Sequence, residues 1–424
     1  MFPQQGWRNT GGGGSGGTNL TIQNTLWVMK NGDDATALPN RLDKPFLTIY
    51  EATQQAVAGD TIYVVSGIYD EGTKDIFASG VNYVLEDGVT VQCDTKVVSD
   101  FGDSKRINIS GNGILKTTVA GEGVVYMTES KSTLNLECKQ IIGEGIAIAC
   151  TGYFNINVNY VSSTTNIGIY FSDSLGTGGL TFGTINVDKI SVLSGYGAIK
   201  ISGTNTDLNE ENIYINCNEL INQSSKAGGS AIQLENNNET NVYVKCKYVN
   251  QLAITTGLFE STNSRFFINN TNFEGFEYGL FISGDSVGLI SNTNVLSVLN
   301  GISCIESSNV QLNNCTIKST GAYVSLELTD TSQFFALNTI FVSGTGISST
   351  VSISDTNTFR VRNCQFIASD PATIYSISSS SPTDIYVYGQ CSSNRPTNSD
   401  LTNQVAGTNI IVDADINQNS NNFY

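Results

Sequence analysis

The chain has 424 residues, 14% of them charged, and its 38 acidic against 21 basic side chains leave a net charge of −17. That field repels phosphate backbones, and no basic block offsets it, so nucleic acid is excluded as a partner. Histidine is absent, which removes Ser-His-Asp, Cys-His and HExxH chemistry, and no run of 18 apolar residues offers a membrane span.

Residues 1–24 read as an extended anchoring arm. The opening MFPQQGWRNT lacks the charged-then-apolar layout of a secretory signal, and the GGGGSGG that follows cannot bury apolar surface. Phe2, Pro3 and Trp7 are the groups expected to dock into a partner. Residues 25–75 read as a cap and first coil. Strands are expected around Trp27-Val28 and Tyr63-Val64-Val65, with a helix between them from Leu47 to Ala58, ended by Gly59. Ile49, Ala52, Ala56 and Val57 form the apolar face of that helix. A solenoid needs such an element to block edge-to-edge pairing of its first coil.

Residues 76–383 repeat. An apolar residue, any residue, a small third residue, two more and another apolar residue recur as LECKQI at Leu136, INCNEL at Ile215 and VKCKYV at Val244. The pattern continues as INNTNF at Ile268, ISNTNV at Ile290, LNNCTI at Leu312, ALNTIF at Ala336 and VRNCQF at Val361, with weaker copies at Ile156 and Ile185. The third positions run from Cys138 to Asn363 at separations of 20, 29, 30, 29, 24, 22, 22, 24 and 25 residues. A second signal, Gly followed by an alternating strand, keeps phase with the first at Gly123, Gly145, Gly168, Gly197, Gly257, Gly279 and Gly301. Strand-and-turn repeats of this length predict an all-β, single-stranded right-handed parallel β-helix, about 22–30 residues per coil. A β-propeller needs longer blades, and tandem sandwiches would not hold one column in phase. Coils stack about 4.8 Å apart, so Asn270, Asn292, Asn314, Asn338 and Asn363 are expected to form a buried asparagine ladder, a structural role. Cys138, Cys217 and Cys246 would fill the same column. The nine cysteines are odd in number and lack any CxxC pair, which suits small apolar fillers in a reducing cytoplasm. Beyond about Ser380 the period fades, and 384–424 reads as a C-terminal cap or oligomerisation segment.

The string PFLTIYEATQQAVAGDTIYVVSGIYDEG, with its Pro45–Ala52, Ala58–Val64 and Gly67–Tyr69 elements, resembles the opening of pectin-lyase-like parallel β-helix proteins. KNGDDATA at Lys30 is similar to the version common in bacteriophage virion proteins such as tail spikes and head fibres. The resemblance covers roughly residues 27–75 and implies a virion surface protein, with the host cytoplasm as its place of synthesis. It also implies a homotrimer held to other virion proteins by the arm, with host-surface glycan as a further partner and host attachment as its role. The polygalacturonase-like Gly-His-Gly and Arg-Ile-Lys elements are missing, as is the pectate-lyase Trp-Ile-Asp-His motif. The expectation is therefore a non-enzyme with no cofactor and no metal.

The alternatives are a bacterial surface adhesin and a polysaccharide-degrading spike, which needs two carboxylates at a suitable distance. Glu260, Glu274, Glu277, Asp285, Glu306 and Asp330 are its candidates, with Glu260 and Asp285 on comparable strands one coil apart. Tyr170, Phe171, Phe259, Tyr278, Phe281, Phe334 and Phe335 could form a sugar-stacking stripe, although alternation turns about half of them inward. Asp33 and Asp34 are carboxylates suited to calcium, without a specific spacing; GDD at Gly32 reads better as a turn.

Overall fold

A computed structural model describes residues 23–413 apart from 101–103, 130, 173–180, 204–210, 224–228, 237–239, 252–257, 276–277, 348, 356, 371–374, 381–383, 394–401 and 404–408. The chain is the right-handed parallel β-helix that its repeat predicts. Every strand pairing is parallel, each strand lying on the equivalent strand of the next coil. A representative coil has three strands: Arg265–Asn269, Asn272–Gly275 and Leu280–Ser283. The first two arms belong to one 25-stranded sheet and the third to a 13-stranded sheet. Alternation along each strand sends one set of side chains into a continuous core between the sheets, in which aromatic rings stack, as Phe154 on Phe171 (4.3 Å). Core volume is shared between neighbouring coils. Phe266 lies in register with Gly288, whose Cβ, were there one, would sit 2.1 Å from the phenylalanine Cζ.

The only helix among the described residues is Ile49–Gln55, shorter than the expected Leu47–Ala58. Thr48 caps it by accepting from the Glu51 N–H, and Asp34 holds the approach by accepting from the Leu47 and Thr48 N–H groups. Ile49 and Ala52 are buried as expected, but Val57 is not: the backbone is already extended at Ala56, which leaves Val57 55% exposed. No helix of the described residues is long and apolar enough to cross a membrane.

At the other end the pairing runs past residue 383. Asp384–Tyr388 lies between Thr358–Arg362 and Asn409–Asp413 in the same register. The repeat is hidden in the sequence because Gly389, at φ 62°, takes the corner that asparagine takes in the preceding coils.

Candidate functional site

The corner between the first two arms decides where a site can form. In the coils that follow Arg265, the corner residue is left-handed: Asn270, Asn292, Asn314, Asn338 and Asn363 have φ between 49° and 53°. A left-handed residue breaks the strand in two. The five coils before it have no such residue. Their strands Thr133–Gly143, Gly152–Ser163, Thr181–Val192, Glu211–Asn222 and Thr240–Gln251 cross the corner unbroken. The result is an open groove of about 720 Å³, with the turn residues Gly111 and Asn112 in its wall at one end and Asn270 at the other.

Its outward residues lie in register as Asn157, Asn186, Asn216 and Lys245 on successive coils. The asparagines bond to each other, Asn186 Nδ2 donating to Asn157 Oδ1 (2.7 Å) and Asn216 Nδ2 to Asn186 Oδ1 (2.9 Å). Beside them Asn218 Nδ2 donates to Asp188 Oδ1 (3.0 Å), and Glu137, Asn159 and Lys247 add to the polar lining. An amide carries two N–H donors and two acceptor lone pairs. The ladder uses one of each on Asn186, so a repeating array of donors and acceptors is left facing outward. Cys138, Val158, Val187 and Cys217 form the floor. Two residues earlier on the same face of these strands stand Tyr214 and Tyr243, which stack at 4.8 Å, with Phe267 4.6 Å beyond. Neither the outward amide row nor this aromatic row was singled out from the sequence. The offset that relates Cys217 to Cys246 also relates Tyr214 to Tyr243, which was the available signal.

The five repeat asparagines do stack, and Asn314 donates to Asn292 (3.5 Å) and Asn363 to Asn338 (3.3 Å), but all five are exposed. The buried ladder expected of them is corrected: a left-handed corner turns the side chain outward, and the following residue points in. Thr271, Thr293, Cys315, Thr339 and Cys364 fill that inner column, each donating to the carbonyl two residues back, as Thr293 Oγ1 does to Ser291 (2.8 Å). A second buried column is made of serines, among them Ser264, Ser286, Ser308 and Ser332.

The candidate carboxylates do not gather. Asp285 N–H donates to Asn263 Oδ1, which places Asp285 at the turn above Asn263 and away from Glu260, whose register partner is Phe281. Glu306 and Asp330 are turn residues at φ 61° and 60°: Glu306 accepts from Gly284 N–H (2.7 Å) and Asp330 from Glu306 N–H (3.1 Å). Glu274 is exposed, in register with Asn250 and Leu296, and Glu277 lies outside the described residues. Glu260 is partly buried. Burial pushes its carboxyl above the usual range, against the Ser230 hydroxyl that donates to it (2.9 Å), and Glu235 adds to the rise.

Of the aromatic candidates, Phe171, Phe259 and Phe334 are core, whereas Tyr170, Tyr278, Phe281 and Phe335 are half-buried. Asp34 is engaged by backbone donors, and Asp33 accepts from Ala35 N–H in the turn. Among the described residues no three His, Cys, Asp or Glu side chains are grouped to hold a metal ion. All nine cysteines are free thiols, and Phe2, Pro3 and Trp7 lie outside the described residues.

No protein-family model matches the sequence, and no curated relative matches it. Among solved structures the chain is similar to a rhamnogalacturonan lyase, at 13% identity over 92% of this chain and 86% of that one, with a TM-score of 0.19. That likeness transfers no chemistry, so function rests on the groove.

Proposed function

We propose that this is a structural surface protein of a bacteriophage particle, a tail spike or head fibre, that attaches to host-surface polysaccharide and does not cleave it. One observation carries the reading: an open groove crossing five coils, lined by a hydrogen-bonded amide row and flanked by stacked aromatic rings. Amides left with one donor and one acceptor suit pairs of sugar hydroxyls, and the partly exposed edge of the stacked aromatic row gives the apolar side of a sugar a surface to lie against. The spacing of the row, about 4.8 Å per coil, makes it a repeating receptor for a repeating ligand. In this reading the arm, with Phe2, Pro3 and Trp7, anchors the protein to other virion proteins. Three copies on one particle would multiply weak contacts into avidity.

The test has two parts. Gold-labelled antibody to the solenoid should decorate purified phage particles, and particles without gold would overturn the virion assignment. Purified full-length protein should retain surface polysaccharide of a susceptible host, and Asn186→Ala with Asn216→Ala should weaken that retention. Release of new reducing ends from the polysaccharide would replace attachment by depolymerisation.

A further inference from the structure

The two ends of the groove differ in charge. Glu137 stands at one end, and Lys245 and Lys247 stand together at the other, on the strand Thr240–Gln251. Both lysines are exposed and, two positions apart on one strand, share a face at a separation of about 7 Å. Four other lysines have carboxylate partners: Lys105 with Asp75, Lys139 with Asp87, Lys189 with Glu219 and Lys200 with Glu235. Lys245 and Lys247 have no ion-pair partner among the described residues, in a chain whose acidic side chains outnumber the basic ones by 38 to 21.

Lys247 Nζ lies 5.6 Å from the centre of the Tyr248 ring, a contact that leaves its charge in place, and no carboxylate pairs with either lysine among the described residues. In register before Lys245 is Asn216, Asn218 lies beside it in the same wall, and Asn270 closes the groove beyond. The nearest acid of the lining, Asp188, is two coils away, roughly 10 Å, about one screening length at physiological salt. Two ammonium groups on one face with no carboxylate between them repel each other until an anion joins them. A carboxylate lying between them would accept a charge-assisted bond from each, with the adjoining amides able to hold its ring hydroxyls.

We infer that the Lys245–Lys247 end of the groove is a subsite for the carboxylate of an acidic sugar, so that the polysaccharide bound here is a uronate-type acidic one. The inference rests on the groove being a glycan site, and the experiment separates the two. Full-length protein is tested on an array of bacterial surface polysaccharides, each printed in native acidic form and in carboxyl-reduced, neutral form. The wild type should prefer the acidic form of its ligand by roughly tenfold or more, with the preference shrinking as salt is raised. The K245Q/K247Q variant should bind both forms equally while keeping the wild-type melting temperature. The N186A/N216A variant should weaken both forms and keep the preference. Equal retention of the two forms by wild type, or an acid preference that survives K245Q/K247Q, overturns the acidic subsite alone. Retention of no glycan in either form overturns the glycan reading and this inference with it.

Discussion

The corner asparagines provide the sharpest test of how the solenoid is held. Asn292, Asn314 and Asn338 sit at φ 49°, 53° and 49° and are exposed. Two accounts of them make opposite predictions. If side-chain bonding holds the coils together, removing the amide should destabilise whatever replaces it. If the need is for a left-handed backbone, glycine should serve as well as asparagine and alanine should not. An L-residue pays about 1–2 kcal/mol in this region, part of which asparagine escapes, so Asn→Ala should cost about 1 kcal/mol per corner and ~3 kcal/mol for all three. The bonds at stake are weak by comparison. Asn314 reaches Asn292 at 3.5 Å and Asn292 reaches Asn269 at 3.0 Å, both in water, for about 0.5 kcal/mol each. The triple glycine variant, with its strain relieved and its unfolded chain freer, should fall within ~1 kcal/mol of wild type. Stacked coils open locally, so the assay is hydrogen exchange read by mass spectrometry over residues 286–345. Exchange in the triple alanine variant should accelerate by roughly a hundredfold and in the triple glycine variant by less than about tenfold. Equal acceleration in the two would refute the backbone account and restore the side-chain ladder as the cause.

Three further outcomes follow from the packing and the titrating groups. Gly288→Val should destabilise by about 1–3 kcal/mol through collision with Phe266, and adding Phe266→Leu should recover part of the loss in a double-mutant cycle; additive effects would place the strain elsewhere. Glu260 has a folded pKa raised above its unfolded value of about 4.5, so its contribution is fully present below that pH and is lost as pH rises through the folded pKa. Glu260→Gln should therefore flatten the decline in melting temperature on going from about pH 4 to about pH 7, and an unchanged profile would refute the burial of that carboxyl. Cys391, the one cysteine not fully buried, is held down to about 7 by the Cys364 thiol. Brief iodoacetamide treatment of the folded protein near neutral pH should label it ahead of the other eight, and Cys391→Ser should abolish that first labelled site.

The fold was legible because a solenoid writes its period directly into the inward positions: Ile215, Val244, Ile268, Ile290 and Leu312 are the same place on successive coils. The meaning of the neighbouring asparagine was not, since a buried ladder and a left-handed corner demand the same residue at the same spacing. What separates them is the residue that replaces asparagine. Gly111 and Gly389 also take positive φ at this corner, and glycine offers a backbone conformation and no side chain to bond. Cys138, Cys217 and Cys246, by contrast, mark coils where the strand runs through and the third residue does point inward. Those same coils make the groove. The position just before the third residue is outward in every coil, so packing leaves it free to vary. It reads Glu137, Asn157, Asn186, Asn216 and Lys245 across the groove coils, and Asn269, Ser291, Asn313, Leu337 and Arg362 along the coils that follow. Inward columns are fixed by the core and report the fold, whereas this outward column is shaped in part by bonds between neighbouring coils, as from Asn216 to Asn186, and its period alone does not give its role.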